Sequence, residues 1–270
     1  MMISGQEKIC SRIDNATLDT FPRTLMLVGL RGSGKHMICD YVSKKFNLRL
    51  LDITEQLDLE TIDEIYNRVE PYLYIIQANS ITVKEENVIL KFLEEPLKNA
   101  FIIMLTENEN GLLQTIVNRC QIWHLQNYSK EFLSQFISED KDVENILNIA
   151  KTPGQVVELC NINFTDAIEL ADKIISKINI ASVSNTLTLS NKISFKKDET
   201  DKINVALFID ILLNRLVETY KINNNSALFQ AYKLTSELSQ LLTVKNLDQK
   251  ALFEKYLLEL RTIMRGSNSL

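Results

Sequence analysis

The chain has 270 residues, 45% hydrophobic and 24% charged, with a formal net charge of −5. That length and balance describe an ordinary globular protein with room for more than one domain. An acidic chain argues against a stand-alone nucleic-acid binder, which would carry a basic surface, but leaves open a subunit that meets DNA within an assembly.

In chain order, "LMLVG" (25–29) predicts a buried strand. A glycine-rich turn follows it, then a helix from Gly34 to about Phe46. "LRLLDI" (48–53) predicts a second strand, 57–69 a helix, and "YLYIIQ" (72–77) a third strand. Thr82 and Glu85 stand as a capping box before a helix that stops at Pro96. "AFIIMLT" (100–106) predicts a fourth strand; "GLLQTI" is a short helix leading into a fifth, "CQIWHL" (120–125). Strands alternating with helices imply a parallel sheet covered on both faces, with ligands at the carboxyl ends of its strands, after residues 29, 77 and 106.

After Tyr128 the pattern is helical. Ser129 caps one short helix, Val143–Ala150 makes another, and "TPGQVVEL" (152–159) opens a third. Longer helices are expected over about 164–180, 201–221, 227–243 and 248–264, with 181–200 read as a helix end plus loop. The expected organisation is an α/β domain over 1–127, a small helical domain over 128–162 and a helical domain over 163–270.

No apolar run is long enough to span a membrane, and Gln6, Glu7 and Lys8 lie where a signal peptide needs an apolar core. The expectation is a cytoplasmic protein without membrane contact. Cys10, Cys39, Cys120 and Cys160 have no metal-ligand spacing and read as reduced thiols.

The segment from Gly29 to His36 carries the main chemical signal. Gly29, Gly32, Gly34 and Lys35 have the spacing of a P-loop, whose backbone N–H groups cradle phosphates at a helix N-terminus. The next residue should supply a hydroxyl to Mg²⁺, and here it is His36. The neighbouring strand should end in a carboxylate, and here it ends in Gln77, followed by Ala78 and Asn79. Two parts of one magnesium site are missing. Phosphate can still bind such a loop; a productive Mg·ATP site is not expected.

Three further segments, "NVILKFLEEPLKNAFIIMLTEN" (87–108), "LLQTIVNRCQ" (112–121) and "AKTPGQVVEL" (150–159), resemble the delta-prime clamp-loader subunits of bacterial DNA polymerase III, members of the AAA+ class. The resemblance covers residues 20 to about 160. It implies an AAA+ module with a five-stranded parallel sheet and helical lid, followed by a helical collar. It also implies a subunit that does not itself hydrolyse ATP and that works with motor and wrench subunits, a sliding clamp and primed DNA. Arg119 takes the place of the family's Ser-Arg-Cys arginine, which reaches a neighbour's γ-phosphate in trans, with Asn118 replacing the serine. Many relatives carry a four-cysteine zinc module after the P-loop helix; here Phe46 leads directly to the strand at Leu48, so no zinc is expected.

Other residues weigh towards structure. Glu94 and Glu95 read as packing and capping groups, Trp123 as packing in the core or at a domain seam, and Thr106 and Asn108 as structural; His36 and His124 lie far apart. The alternatives are an active ATPase using Glu85 or Glu107 as its acid, and an AAA+ scaffold outside replication.

Overall fold

The computed structural model describes residues 3–94, 100–138, 142–195, 203–242 and 247–266. They form two compact units. One comprises residues 1–132 with 151–154, the other 133–150 with 155–270.

The first unit begins with helix α1 (Glu7–Asn15), which lies outside the expectations from sequence. Strand β1 (Thr24–Val28), α2 (Lys35–Phe46), β2 (Arg49–Asp52), α3 (Leu59–Tyr66) and β3 (Tyr72–Gln77) follow. Helix α3 is shorter than the expected 57–69: Asp58 caps it through the Thr61 N–H at 2.7 Å, which fixes its start. Next come α4 (Val83–Glu94), β4 (Ala100–Thr106), α5 (Gln114–Val117) and β5 (Gln121–His124). The capping box forms: Glu85 Oε2 accepts the Thr82 N–H at 2.6 Å, and Thr82 Oγ1 accepts the Glu85 N–H at 3.3 Å. Glu95 and Pro96 lie outside the described residues.

All five strands pair in parallel, in the order β2-β3-β4-β1-β5. The central strands are apolar on both faces because helices cover both. Leu25, Leu27, Ile75, Phe101, Ile103 and Trp123 pack towards α1 and α2. Met26, Tyr74, Ile76, Ile102 and Met104 pack towards α3 and α4. The register pairs Val28 with Thr106 and Gln77 with Leu105, so the loops after β1, β3 and β4 share one rim.

The second unit is helical. Helices α6 (Lys130–Ser134), α7 (Val143–Ile149), α8 (Pro153–Asn161) and α9 (Phe164–Lys177) lead into it. Residues 181–195 are more ordered than the expected helix end and loop. They hold α10 (Val183–Leu187), a 3-10 turn, and β6 (Ile193–Ser194), which pairs with β7 (Ile203–Asn204); the rest of that region, 196–202, is outside the described residues. Ser182 caps α10 by accepting the Asn185 N–H at 3.1 Å, a start signal hidden among similar polar residues. Helices α11 (Val205–Asn223), α12 (Ser226–Leu241) and α13 (Gln249–Gly266) complete it. Asn224 ends α11 in the left-handed conformation, at φ 46°.

Candidate functional site: a phosphate loop and a rim arginine

The loop from Gly29 to Gly34 sits at the carboxyl end of β1, at the mouth of α2, where phosphate chemistry requires it. Gly34 adopts φ +91°, a conformation that favours glycine, and lets the chain turn into α2. The spacing of Gly29, Gly32, Gly34 and Lys35 thus produces a loop at the expected place.

Donors from this chain gather on the carbonyl side of that loop. Lys35 folds back, its Nζ donating to the Gly29 carbonyl and, at 3.0 Å, to that of Leu30. Thr152 Oγ1 donates to the Arg31 carbonyl at 2.7 Å, the Gly154 N–H to that of Gly32 at 3.1 Å, and the Tyr128 hydroxyl to that of Ser33 at 2.7 Å. Every carbonyl from Gly29 to Ser33 is therefore held by this chain's own donors. Burial pushes the Lys35 ammonium below the usual lysine range, with Glu107 pulling the other way. The cavity beside the loop, lined by Ser33, Glu107, His124 and Thr152 among others, measures about 150 Å³. Sites for drug-sized ligands start at roughly 300 Å³.

The two residues that replace the magnesium ligands meet each other. Gln77 Nε2 lies 2.6 Å from His36 Nε2, an amide N–H donated to the imidazole lone pair. Behind Gln77 the strand end is tied down: Thr54 Oγ1 accepts the Gln77 N–H at 2.8 Å and donates to Asp52 at 2.6 Å. Thr106, fully buried, donates its hydroxyl to Asn79 Oδ1 at 2.6 Å, and the Glu107 N–H reaches the same oxygen at 3.2 Å. The hydroxyl of Thr106 thus knits two strand ends together, and Asn108 turns its N–H back onto it at 3.1 Å. At the two positions where a P-loop holds its magnesium ligands the chain offers an imidazole and an amide, with the Glu107 carboxylate lining the adjacent cavity.

His124 lies 3.1 Å from Glu109, remote in sequence from His36. Among the described residues no group of three or more His, Cys, Asp or Glu side chains is placed to hold a metal ion. Burial pushes the Cys39 and Cys120 thiols up to about 12, so neither is a ready nucleophile. Trp123 is buried and meets the Phe21 ring edge-on at 6.0 Å between centroids.

Three residues that bond the loop carbonyls carry no clear signal in the sequence. Tyr128 and Thr152 are ordinary polar positions there, and Gly154 enters only as part of a family motif. A glycine one residue inside a helix start, where alanine is a better helix former, is the available signal of close backbone approach. A Cβ on Gly154 would lie 2.5 Å from the Gly32 Cα. Gly154→Ala is therefore expected to destabilise the chain by about 1–3 kcal/mol, the usual cost of overpacking, read as a lowered midpoint in thermal unfolding.

Arg119 lies at the opposite rim. Its carbonyl accepts the Thr24 hydroxyl at 2.6 Å, at the start of β1, whereas the phosphate loop begins at the end of that strand. Five strand residues separate the two rims by about 16 Å, further than an arginine side chain spans. Arg119 Nη1 donates to the Thr115 carbonyl at 2.9 Å and Nη2 to Glu94 Oε1 at 2.7 Å.

Residues 52–129 match the family described as DNA polymerase III, delta subunit. Over this segment the chain is similar to DNA polymerase III delta-prime subunits. It is 33% identical over 73 residues to the delta-prime subunit of Haemophilus influenzae, covering 27% of this chain and 22% of that protein. With the delta-prime subunit of Bacillus subtilis it shares 32% identity over 100 residues, 37% of this chain and 28% of that protein. The matched segment thus spans about a quarter of the length of these curated relatives. In fold, the chain is similar to a DNA polymerase III gamma subunit-related protein from Thermotoga maritima, with TM-score 0.50 and 16% identity over 97% of this chain and 100% of that one. The fold is a five-stranded parallel sheet flanked by helices, followed by a helical region. No helix among the described residues is long and apolar enough to cross a membrane.

Proposed function

We propose that this chain is a catalytically silent clamp-loader subunit that completes a neighbour's ATP site with Arg119. The observation that carries the reading is the division of labour between the two rims. At the phosphate loop Lys35 is turned onto the Gly29 and Leu30 carbonyls, and the positions of the metal ligands hold His36 and Gln77, bonded to each other. The rim that carries Arg119 presents a guanidinium with two of its five N–H donors engaged among the described residues. Arginine is suited to the task because its planar cation matches the charge developing on a transferring phosphoryl group.

In this reading the motor subunits hydrolyse ATP, the wrench subunit opens the sliding clamp, and primed DNA is met through the assembly. The helical region after residue 162 serves as the collar, with 128–162 as the lid. The chain needs neither Mg·ATP nor zinc of its own.

The test is reconstitution with motor and wrench subunits. Clamp- and DNA-stimulated ATPase is expected to depend on the presence of this chain, which alone shows no turnover. Titration of the chain with Mg·ATP is expected to give no binding in the low micromolar range; such binding would overturn its silence.

Restoring the two missing ligands is a sharper check. The double substitution His36→Ser with Gln77→Asp returns a hydroxyl and a carboxylate to the magnesium positions. It is expected to leave the isolated chain without measurable ATPase, because the arginine finger still has to come from another subunit. Turnover by the double variant would show that only the metal ligands were lacking.

A further inference from the structure

The backbone of Arg119 has little freedom. Its carbonyl is bonded to Thr24, its N–H donates to the Ile116 carbonyl at 3.0 Å, and the Ile116 side chain is fully buried. At the other end of the segment, Glu86 Oε1 on α4 accepts the Leu113 N–H at 3.4 Å. Segment 113–119 is thus fastened to the core, and what remains adjustable is the guanidinium.

The guanidinium is held by Glu94, the last residue of α4, in an ion pair of 2.7 Å. The side chains are 35% and 53% exposed, so the pair is open to solvent and to exchange. With a carboxylate beside it, Arg119 offers little net charge to an incoming anion. A triphosphate carries more negative charge than one carboxylate and accepts the same planar fork.

We propose that Glu94 is a stand-in anion: it parks Arg119 in the free chain and competes with the neighbour's phosphate for it in the assembly. This rests on the trans role of Arg119 argued above. Glu94 acts through Arg119 and touches no nucleotide. The competition lies in the ground state, so it sets how readily the neighbour's site engages ATP more than how fast it turns over.

The experiment compares reconstituted complexes carrying the unsubstituted chain, Glu94→Gln, Glu94→Asp, Arg119→Ala and the Glu94→Gln, Arg119→Ala double variant. The glutamine keeps an acceptor oxygen and removes the charge. Glu94→Gln is expected to lower the KM for ATP by about two- to fivefold with kcat unchanged, as removal of a weak exposed pair allows. Glu94→Asp is expected to restore the unsubstituted KM, and the lowering is expected to vanish in the double variant. If Arg119→Ala abolishes neighbour turnover while Glu94→Gln leaves KM alone, or lowers kcat, the competition is overturned and the finger stands. If Arg119→Ala changes nothing, the finger assignment falls and the role of Glu94 with it. Thermal midpoints of the free chains, expected to agree closely for Glu94→Gln, show that folding is not what is being read.

Discussion

Replacing Arg119 by alanine is expected to leave the chain folded and to lower ATP turnover at the neighbouring site by about 10³-fold, the low end of what an arginine finger contributes. The fold should tolerate the change. Truncation removes one exposed ion pair and one hydrogen bond to the Thr115 carbonyl, whereas the Thr24 hydroxyl bonds the backbone of residue 119 whatever its side chain. The chemistry should not tolerate it, because no lysine substitutes for a planar cation aimed at developing phosphoryl charge. Arg119→Lys is accordingly expected to recover little of the rate. Single-turnover ATP hydrolysis by the reconstituted complex, beside thermal unfolding of the free variant, checks both halves. Unchanged turnover would return Arg119 to the role of a surface arginine paired with Glu94.

Much of this arrangement is legible in the sequence. The apolar runs at 25–29, 72–77 and 100–106 are long, continuous and bounded by turn residues, so strand and burial follow together, and β1, β3 and β4 fall where expected. The missing magnesium ligands are visible as residue types: an imidazole cannot replace a hydroxyl, nor an amide a carboxylate. That His36 and Gln77 bond each other is not visible, because 41 residues and a strand crossing separate them. The bonds to the loop carbonyls are hidden for the same reason. Tyr128, Thr152 and Gly154 reach the loop from after β5, and no local pattern announces a hydroxyl or N–H aimed at a distant carbonyl. Helix α1 lies outside the expected elements although Ile9, Cys10 and Ile13 share one buried face at helical spacing. Glu94 is recognisable as a residue at a helix end, but its partner is not, since an ion pair between α4 and the segment after α5 depends on tertiary packing.

The helical unit bears on whether that chemistry can be delivered at all. Phe253 on α13 is fully buried and meets Phe208 of α11 at 6.2 Å and Tyr256 at 5.8 Å between ring centroids. Beside them the Tyr256 hydroxyl lies 2.7 Å from Thr235 Oγ1 of α12, so one aromatic cluster ties the last three helices together. Phe253→Ala removes most of a large buried side chain from a site where surrounding helices cannot easily collapse, and a loss of about 3–5 kcal/mol is expected. That is a large share of the stability of a typical domain. Denaturant unfolding followed by helical signal checks the magnitude. If the helical unit is the collar, the same substitution should reduce co-assembly with the motor subunits, although Arg119 and its supports belong to the other unit. Turnover per assembled complex should then stay normal while the amount of complex falls. Arg119→Ala should do the reverse, leaving assembly intact and turnover lost. A Phe253→Ala chain that assembles fully despite the expected destabilisation would place the assembly surface outside the packing that Phe253 supports.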